Sequence, residues 1–247
     1  PTYRLDMVET ESPRGRIAYA KAIATGILAP TPLGDLHLDH CLGCRRCEGA
    51  CPAGVEYGSL LVAARTEQAA RRPPPAQVRR LLWWLARPRL LAGALGAYRM
   101  AFAWLPESWR RLPRPPAPPA PDPAPGEIAI DVFVGCIART YEAPARAALS
   151  RLLGAMNYRV LETAGQGCCG AAAEHAGDGA LAAALAARNQ AAFKDGHRVM
   201  CLASGCEGTL RRSLDGVQRV QDVLHFLNQT SRTHHLRFRD AGGRRVA

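Results

Sequence analysis

The sequence DHCLGCRRCEGACPAGVEYGSLL, residues 39–61, contains four of the nine cysteines of the chain. These four share one short segment and are Cys41, Cys44, Cys47 and Cys51, with Pro52 next. Their spacing, C-x2-C-x2-C-x3-C-P, is typical of a loop that binds a [4Fe–4S] cluster. The two-residue gaps let neighbouring thiolates converge on one cluster. The stretch therefore predicts a [4Fe–4S] site, with zinc or structural thiols as the alternative.

The fourth cysteine of this loop complicates the prediction. In proteins with two clusters, the last cysteine of a run binds the other cluster. Cys41, Cys44 and Cys47 would then need a fourth ligand from a second run, and the sequence contains no second C-x2-C-x2-C run. The loop alone leaves open whether Cys51 completes this cluster or reaches to another.

Composition limits the classes of protein that fit. The 247 residues are enough for one large or two small domains. Nine cysteines are too few for a disulfide scaffold, and their clustering indicates metal binding in a reducing compartment. A cytoplasmic location is therefore expected. The sequence has no run of about 18 uncharged apolar residues of the kind that spans a bilayer.

Residues 1–70 are predicted to form a helical, ferredoxin-like [4Fe–4S] domain. Ser12 and Pro13 are typical of a helix start, with serine as N-cap and proline in the first turn. This helix is expected to end near Gly26, and a second one is predicted over Glu56–Ala70, after the cluster loop. Four polar side chains near these elements are predicted to lie in solvent and not to bind the cluster: Arg14, Arg16, His37 and His40.

Residues 71–125 form a basic arm and linker. The net charge of the chain is +11, and residues 71–114 hold ten arginines against one acid, Glu107. All four tryptophans lie here: Trp83, Trp84, Trp104 and Trp109. Arginine and tryptophan around apolar helices suit peripheral contact with an anionic membrane, here the inner face of the cytoplasmic membrane. Packing on a partner subunit is the equal alternative, while no nucleic-acid partner is expected because the aromatics accompany long aliphatic runs.

Residues 126–247 alternate strands and helices, which predicts an α/β domain with a parallel sheet. One strand is predicted to begin at Ile128, and two more are predicted over Tyr158–Leu161 and His197–Ala203. The predicted helices cover Glu142–Ala155, Asp178–Phe193 and Val220–Gln229. Four cysteines follow the carboxyl ends of the strands: Cys136, Cys168, Cys169 and Cys206. Because ligands of open α/β sheets bind at that edge, these thiols are predicted to form a metal or redox site. Cys201 lies within a strand and is predicted to belong to the core.

The two groups of cysteines give the chain a resemblance to a known family. The order Cys136, Cys168-Cys169-Gly170 and Cys206 resembles the CCG cysteine-rich domain. That domain occurs in heterodisulfide reductase, anaerobic glycerol-3-phosphate dehydrogenase, lactate-utilisation proteins and glycolate oxidase. Five blocks resemble, in order, the iron–sulfur subunit of glycolate oxidase: residues 1–17, 44–61, 165–177, 203–210 and 221–227.

The resemblance implies a particular arrangement of clusters. Members of the family carry two cluster runs ahead of two CCG repeats, so Pro1 would follow a first run and residues 126–247 would hold the first repeat. Cys41, Cys44 and Cys47 would then bind one cluster, while Cys51 would reach to the other. The chain is accordingly expected to be truncated at both ends.

The CCG motif of this chain departs from the fullest family pattern. Cys206 is followed by Glu207, Gly208 and Thr209, so a fifth thiol is absent and a non-cubane cluster is not expected. A cubane or simpler iron–sulfur centre, or a redox-active Cys168–Cys169 pair, fits the remaining thiols. His175 is expected to have a surface role at a helix end, with ligation as the alternative.

The resemblance implies electron transfer, not carbon chemistry. The sequence shows no dinucleotide-binding GxGxxG after a strand, no Walker loop and no nucleophile elbow. A partner subunit with FAD would oxidise a 2-hydroxy acid such as glycolate, and clusters on this chain would pass electrons to a quinone. One alternative is an iron–sulfur subunit like that of heterodisulfide reductase or of anaerobic glycerol-3-phosphate or lactate dehydrogenase. The alternative from another class is a zinc-stabilised basic interaction protein.

Overall fold

The computed structural model describes residues 2–119, 126–214 and 220–233. The helices of the first half are α1 Thr2–Asp6, α2 Pro13–Ala24, α3 Pro32–Asp39, α4 Arg46–Gly49, α5 Tyr57–Arg71, α6 Ala76–Leu85 and α7 Pro88–Ala101, with 3-10 turns at Glu9–Glu11 and Glu107–Trp109. The elements of the second half are β1 Ile128–Phe133, α8 Ala138–Tyr141, α9 Ala143–Ala155, β2 Tyr158–Leu161, α10 Ala171–His175, α11 Gly179–Ala192, β3 Val199–Cys201, α12 Ser204–Leu214, β4 Val220–Asp222 and α13 Val223–Thr233.

The chain divides into two compact units. The first unit combines Pro1–Arg87 with Cys168–Ala187, and the second combines Pro88–Gly167 with Arg188–Ala247. The boundaries predicted at 70 and 125 follow composition, whereas this division follows contacts. The division by contacts places α6 and α10 in the first unit and α7 in the second. Part of the predicted linker, residues 120–125, and the end of the predicted CCG domain lie outside the described residues.

The first unit is helical around the cysteine loop. The Ser12 hydroxyl accepts a 3.0 Å hydrogen bond from the Gly15 amide, which caps α2 as the sequence predicts. Thr31 caps α3 in the same way through the Gly34 amide. A small core of Leu38, Tyr57 and Leu61 joins α3 to α5, and the cysteine loop packs against it.

The second unit contains a four-stranded parallel sheet in the order β2-β1-β3-β4. The predicted mixed α/β fold with a parallel sheet is confirmed. Its core combines residues of β1 and β3 with residues of α9 and α13 and with Met156, which follows α9: Ile130, Val132, Leu149, Leu153, Met156, Met200, Val223 and Phe226. Strand β1 is buried along four consecutive residues because helices cover parallel sheets.

One sequence prediction in this unit was wrong. Residues 220–229 were predicted as a single helix, but Val220–Asp222 form the edge strand β4 and the helix begins at Val223. Asp222 ends the strand and caps the helix, because its carboxylate accepts hydrogen bonds from the Leu224 and His225 amides at 2.8 and 3.1 Å. A three-residue strand is too short to show alternation in the sequence.

Within the described residues, every helix is too short or too polar to cross a membrane.

Candidate metal and redox centres

Three of the four loop cysteines face one cavity. Cys41 follows the end of α3, Cys44 lies in the irregular loop and Cys47 lies on α4. Together with Tyr57 they line a cavity of about 230 Å³. Two residues of this loop adopt left-handed backbone conformations, Gly43 with φ 60° and Arg45 with φ 55°. These turns fold the segment back on itself, which brings the thiols to the same cavity.

Cys51 faces a different cavity. This second cavity, of about 510 Å³, is also lined by Cys47 but not by Cys41 or Cys44. The backbone amides of Val55 and Ala53 donate to the Cys51 sulfur and lower the pKa of this thiol. Amide donors of this kind favour the thiolate, which is the form that binds iron. The loop therefore places Cys41 and Cys44 on one cavity, Cys51 on an adjoining cavity and Cys47 on both, and its amides prepare Cys51 as a ligand.

Helix α5 supports the cysteine loop through two long side chains. The Tyr57 hydroxyl lies 3.5 Å from the Cys41 sulfur, and burial, followed by the nearby Cys41, raises the pKa of this phenol. Arg65 is buried and donates to the carbonyl oxygens of Leu38 at 2.9 Å and Cys41 at 2.7 Å. Burial lowers the pKa of Arg65, but an arginine remains charged at neutral pH. One helix thus supplies a hydroxyl donor to a thiol and a cation to the loop backbone.

A buried carboxylate ties the first turn of the unit to α3. Glu11 is 2% exposed and pairs with Arg16, while its other oxygen contacts the Nδ1 atoms of His37 at 2.6 Å and His40 at 2.9 Å. Burial by itself would raise the pKa of Glu11, but the bonds from the two histidines and the charge of Arg16 outweigh it and lower that pKa. The prediction that these side chains lie in solvent holds for Arg14, whose side chain is 86% exposed.

For Arg16 that prediction was wrong, because this arginine is 4% exposed and also donates to the His37 carbonyl oxygen at 2.6 Å. His37 and His40 bond to a carboxylate and are structural parts of this network. No local sequence pattern predicts this network, because Glu11 and His40 are 29 residues apart.

His175 lies at the end of α10 with an exposed side chain, as expected. It also has partners that the sequence did not predict. Its Nδ1 lies 2.6 Å from a guanidinium nitrogen of Arg65, and its ring lies against Gly43. A Cβ at Gly43 would come within 2.3 Å of that ring. His175 therefore belongs to the surroundings of the cysteine loop.

The CCG cysteines are distributed over both units. In the second unit, Cys136 follows β1 and a left-handed Gly135, and Cys206 lies in the first turn of α12; both are partly exposed. In the first unit, Cys168 and Cys169 are buried, each 3% exposed. The Ala171 amide lies 3.5 Å from the Cys169 sulfur. These thiols follow strand ends or a glycine turn, as the sequence predicts.

Gln166 fixes the approach to the CCG turn in the second unit. Its side-chain oxygen accepts a 2.7 Å bond from the Val134 amide, and its nitrogen donates to Val132 and Thr163 carbonyl oxygens at 3.2 and 3.0 Å. Cys201 is fully buried in β3, which agrees with its predicted place in the core. Among the site residues that the sequence analysis did not identify, Arg65 could have been found, because it lies on the same helical face as Leu61 and Gln68.

Comparison with known proteins first defines a class. The family described as "CCG: Cysteine-rich domain" matches residues 130–211, which contain all four cysteines predicted for the second site. The segment is therefore a CCG cysteine-rich domain. No solved structure matches the chain.

Two curated proteins then give the particular relationship. The chain is 32% identical over 240 residues to the probable glycolate oxidase iron-sulfur subunit of Bacillus subtilis (strain 168), covering 83% of this chain and 54% of that protein. It is 32% identical over 182 residues to the glycolate oxidase iron-sulfur subunit of Escherichia coli (strain K12), covering 71% and 44%. The chain thus spans about half the length of the curated relatives it matches, and it is homologous to the glycolate oxidase iron–sulfur subunits.

Proposed function

We propose that the chain is an iron–sulfur electron-transfer subunit of a glycolate, or 2-hydroxy acid, oxidase complex. The observation that carries this proposal is the arrangement of the loop thiols, with Cys41, Cys44 and Cys47 on one cavity and Cys51 on an adjoining cavity that Cys47 also lines. That arrangement suits a run whose last cysteine binds a neighbouring cluster. The names of the two relatives support the same role.

The residues around the loop suit a [4Fe–4S] cluster. Bound clusters would supply one-electron transfer. Cys41, Cys44 and Cys47 would hold one of them, with the Tyr57 hydroxyl 3.5 Å from one ligand sulfur. A donor to a cluster sulfur and a buried cation such as Arg65 both favour the more negative, reduced state. The two side chains would therefore raise the reduction potential of this cluster.

The CCG cysteines are proposed to hold a further iron–sulfur centre. The family match covers Cys136, Cys168, Cys169 and Cys206. Cys168 and Cys169 are buried, whereas freely reactive thiols are usually partly exposed, so their burial supports metal-bound thiolates over a freely reactive thiol pair. FAD would belong to a partner subunit, which takes two electrons from the hydroxy acid, and a quinone would accept them from this chain.

We place the chain in the cytoplasm with peripheral contact to the inner face of the membrane, and α6 supports this. Its Leu82 and Leu85 are buried, whereas Leu81, Trp83 and Trp84 are 52%, 46% and 39% exposed. Arg79, Arg80 and Arg87 share the exposed side, and the Arg87 guanidinium lies 4.1 Å from the centre of the Trp83 ring. Tryptophan flanked by arginine suits the boundary between anionic headgroups and acyl chains.

The test is anaerobic purification followed by iron and acid-labile sulfide analysis and paramagnetic resonance of the reduced protein. The expected result is iron with matching sulfide and the paramagnetic signal of a reduced iron–sulfur centre. A colourless protein that holds zinc would overturn the proposal and favour the basic interaction protein. Co-purification with a flavoprotein that reduces these clusters with glycolate would support the complex, and reduction by glycolate alone without a flavoprotein would contradict it.

A further inference from the structure

The first unit contains a cleft that none of the roles above uses. It lies among α5, the segment Pro73–Pro75, the start of α6 and α10, and its volume is about 380 Å³. Seven of its twelve lining residues are alanine, proline or valine. Mainly apolar pockets of this size that contain a few polar groups are typical small-molecule sites.

Five polar side chains also line this cleft, and two of them, Arg65 and His175, contact each other; the five are Asp39, Arg65, Gln68, Arg72 and His175. Arg65 is 5% exposed, and its Nε makes no hydrogen bond to any part of the chain that the structure describes. The guanidinium is always a donor, so His175 accepts through Nδ1 and carries its proton on Nε2 when the ring is neutral. The Arg65 nitrogens are thus bonded or enclosed, and the donors suited to a carbonyl oxygen belong to Arg72, which is exposed and lines the same cleft.

The same two side chains contact the cluster loop. Arg65 donates to the Cys41 carbonyl oxygen at 2.7 Å, and the His175 ring lies against Gly43, between Cys41 and Cys44. A molecule in the cleft would therefore be separated from the proposed cluster ligands by single side chains. A position next to the proposed cluster ligands suits a ligand that accepts electrons.

We propose that this cleft binds the headgroup of a quinone. A quinone ring has two apolar faces, which suit the proline and alanine walls, and carbonyl oxygens at its edge, which suit the guanidinium donors of Arg72. A small carboxylate such as glycolate would leave most of these walls without contacts. Val78 belongs both to the cleft and to α6, whose exposed tryptophan and arginine side is proposed to meet the membrane, where lipid-soluble quinones reside.

This inference rests on the proposed electron-transfer function. A cluster held by Cys41, Cys44 and Cys47 would supply two electrons, one at a time, and with two protons from water these would convert the quinone to its quinol. The electrons originate in the hydroxy acid oxidised on the flavin subunit. No bond to the protein forms or breaks in this step.

The test is calorimetric titration of the full 247-residue chain with two probes, menadione and decylubiquinone. Ala172→Trp and Val78→Trp fill the cleft from different elements without removing a hydrogen bond. Each is expected to weaken binding by about tenfold or more, because a bulky ring then occupies the ligand volume. Ala180→Trp is the control, since Ala180 is exposed and does not line the cleft. Circular dichroism identifies any variant that fails to fold, and the other variant then decides.

The outcomes separate this inference from the function on which it rests. Weaker probe binding in the cleft variants and unchanged binding in Ala180→Trp support the site. Unchanged binding in a folded cleft variant, or displacement of the probes by glycolate, overturns it. If the chain carries clusters but the cleft variants bind quinone normally, the electron-transfer function is supported and the proposed quinone site is rejected. If the chain lacks iron but the cleft variants lose quinone binding, the proposed quinone site is supported and the cluster-binding function is rejected.

Discussion

Arg65 Nη2 lies 2.7 Å from the carbonyl oxygen of Cys41, although 24 residues separate the two in sequence. The same nitrogen bonds to the Leu38 carbonyl oxygen at 2.9 Å, so the guanidinium joins the end of α3 to the start of the cysteine loop. The last carbonyls of a helix lack partners within that helix. Here the Leu38 carbonyl accepts from the Cys41 amide at 3.2 Å, and the cation from α5 adds a second, charged donor.

The first prediction concerns this clamp. Arg65→Met should lower the free energy of unfolding by roughly 2–4 kcal/mol, because it removes the charged donor that the Leu38 and Cys41 carbonyl groups share. It should also lower the reduction potential of a bound cluster, because a nearby positive charge is lost. Urea denaturation and a potentiometric titration measure the two effects. Arg71→Met is the control on the same helix, since Arg71 makes only a 3.4 Å contact with Asp35. Equal effects in both variants would contradict the clamp.

The second prediction concerns Glu11. Glu11→Gln should destabilise the chain by about 3 kcal/mol, because it leaves Arg16 as a buried charge without its partner. Glu9→Gln should have little effect, because Glu9 and its partner Arg14 are both exposed. Urea denaturation followed by circular dichroism provides the comparison.

The Glu11 effect should depend on pH in a defined direction. Its pKa in the folded chain is lowered from the ordinary value of 4.5, so the carboxylate stabilises the fold fully above that value. The stabilisation is lost as the pH falls from about 4.5 through the folded pKa. The stability difference between the wild-type chain and Glu11→Gln should therefore be constant near neutrality and shrink in acid. A difference that grows in acid would exclude this role.

The third prediction concerns iron binding. Cys41→Ala should remove a ligand from the three-thiol cavity and reduce the iron content of the anaerobically purified chain. Cys201→Ala removes a thiol too, but from the core of β3, and should leave iron unchanged while costing about 1–2 kcal/mol in stability. Iron and sulfide assays on both variants separate ligation from packing. Equal iron in the two variants would reject Cys41 as a ligand.

The fourth prediction uses two glycines with positive φ. Gly43 and Gly26 have φ values of 60° and 72°, but a Cβ at Gly43 would meet the His175 ring, whereas nothing lies within 4 Å of one at Gly26. Gly26→Ala should cost about 1 kcal/mol, for the left-handed backbone alone. Gly43→Ala should cost more. Adding His175→Ala should remove the extra loss of stability caused by Gly43→Ala, because the clashing ring is then absent. It should not change the loss of stability caused by Gly26→Ala. Double-mutant cycles measured by urea denaturation provide both comparisons.

The fifth prediction concerns the proposed membrane contact. Reversing Arg79 and Arg80 to glutamate should abolish co-flotation of the chain with vesicles that contain anionic lipid, because each basic residue near such a surface contributes about 1 kcal/mol. Reversing Arg151 and Arg159 changes the net charge equally at exposed positions elsewhere and should have a smaller effect. Flotation in proportion to net charge alone would contradict a specific role for α6.

Much of the fold follows from local patterns in the sequence. Ser12 and Pro13 mark the start of α2, and the alternation of apolar runs with helical segments indicates the parallel sheet. The burial of Arg16 and Arg65 could not be predicted with the same ease, because their partners are backbone carbonyls and a carboxylate from other elements. The cysteine spacing predicts a cluster, but only the folded loop shows that Cys51 faces a second cavity, which adjoins the first at Cys47.

The segment Cys168–Ala187 has a consequence for how such chains diversify. It sits inside the CCG sequence, yet it belongs to the first unit, where a Cβ at Gly177 would come within 2.2 Å of the Arg65 backbone oxygen. A gene fragment joined at the proline-rich stretch would therefore bring together an N-terminal part and a CCG part that had not adapted to each other. Exchange between relatives should succeed only when α5 and α10 come from the same parent.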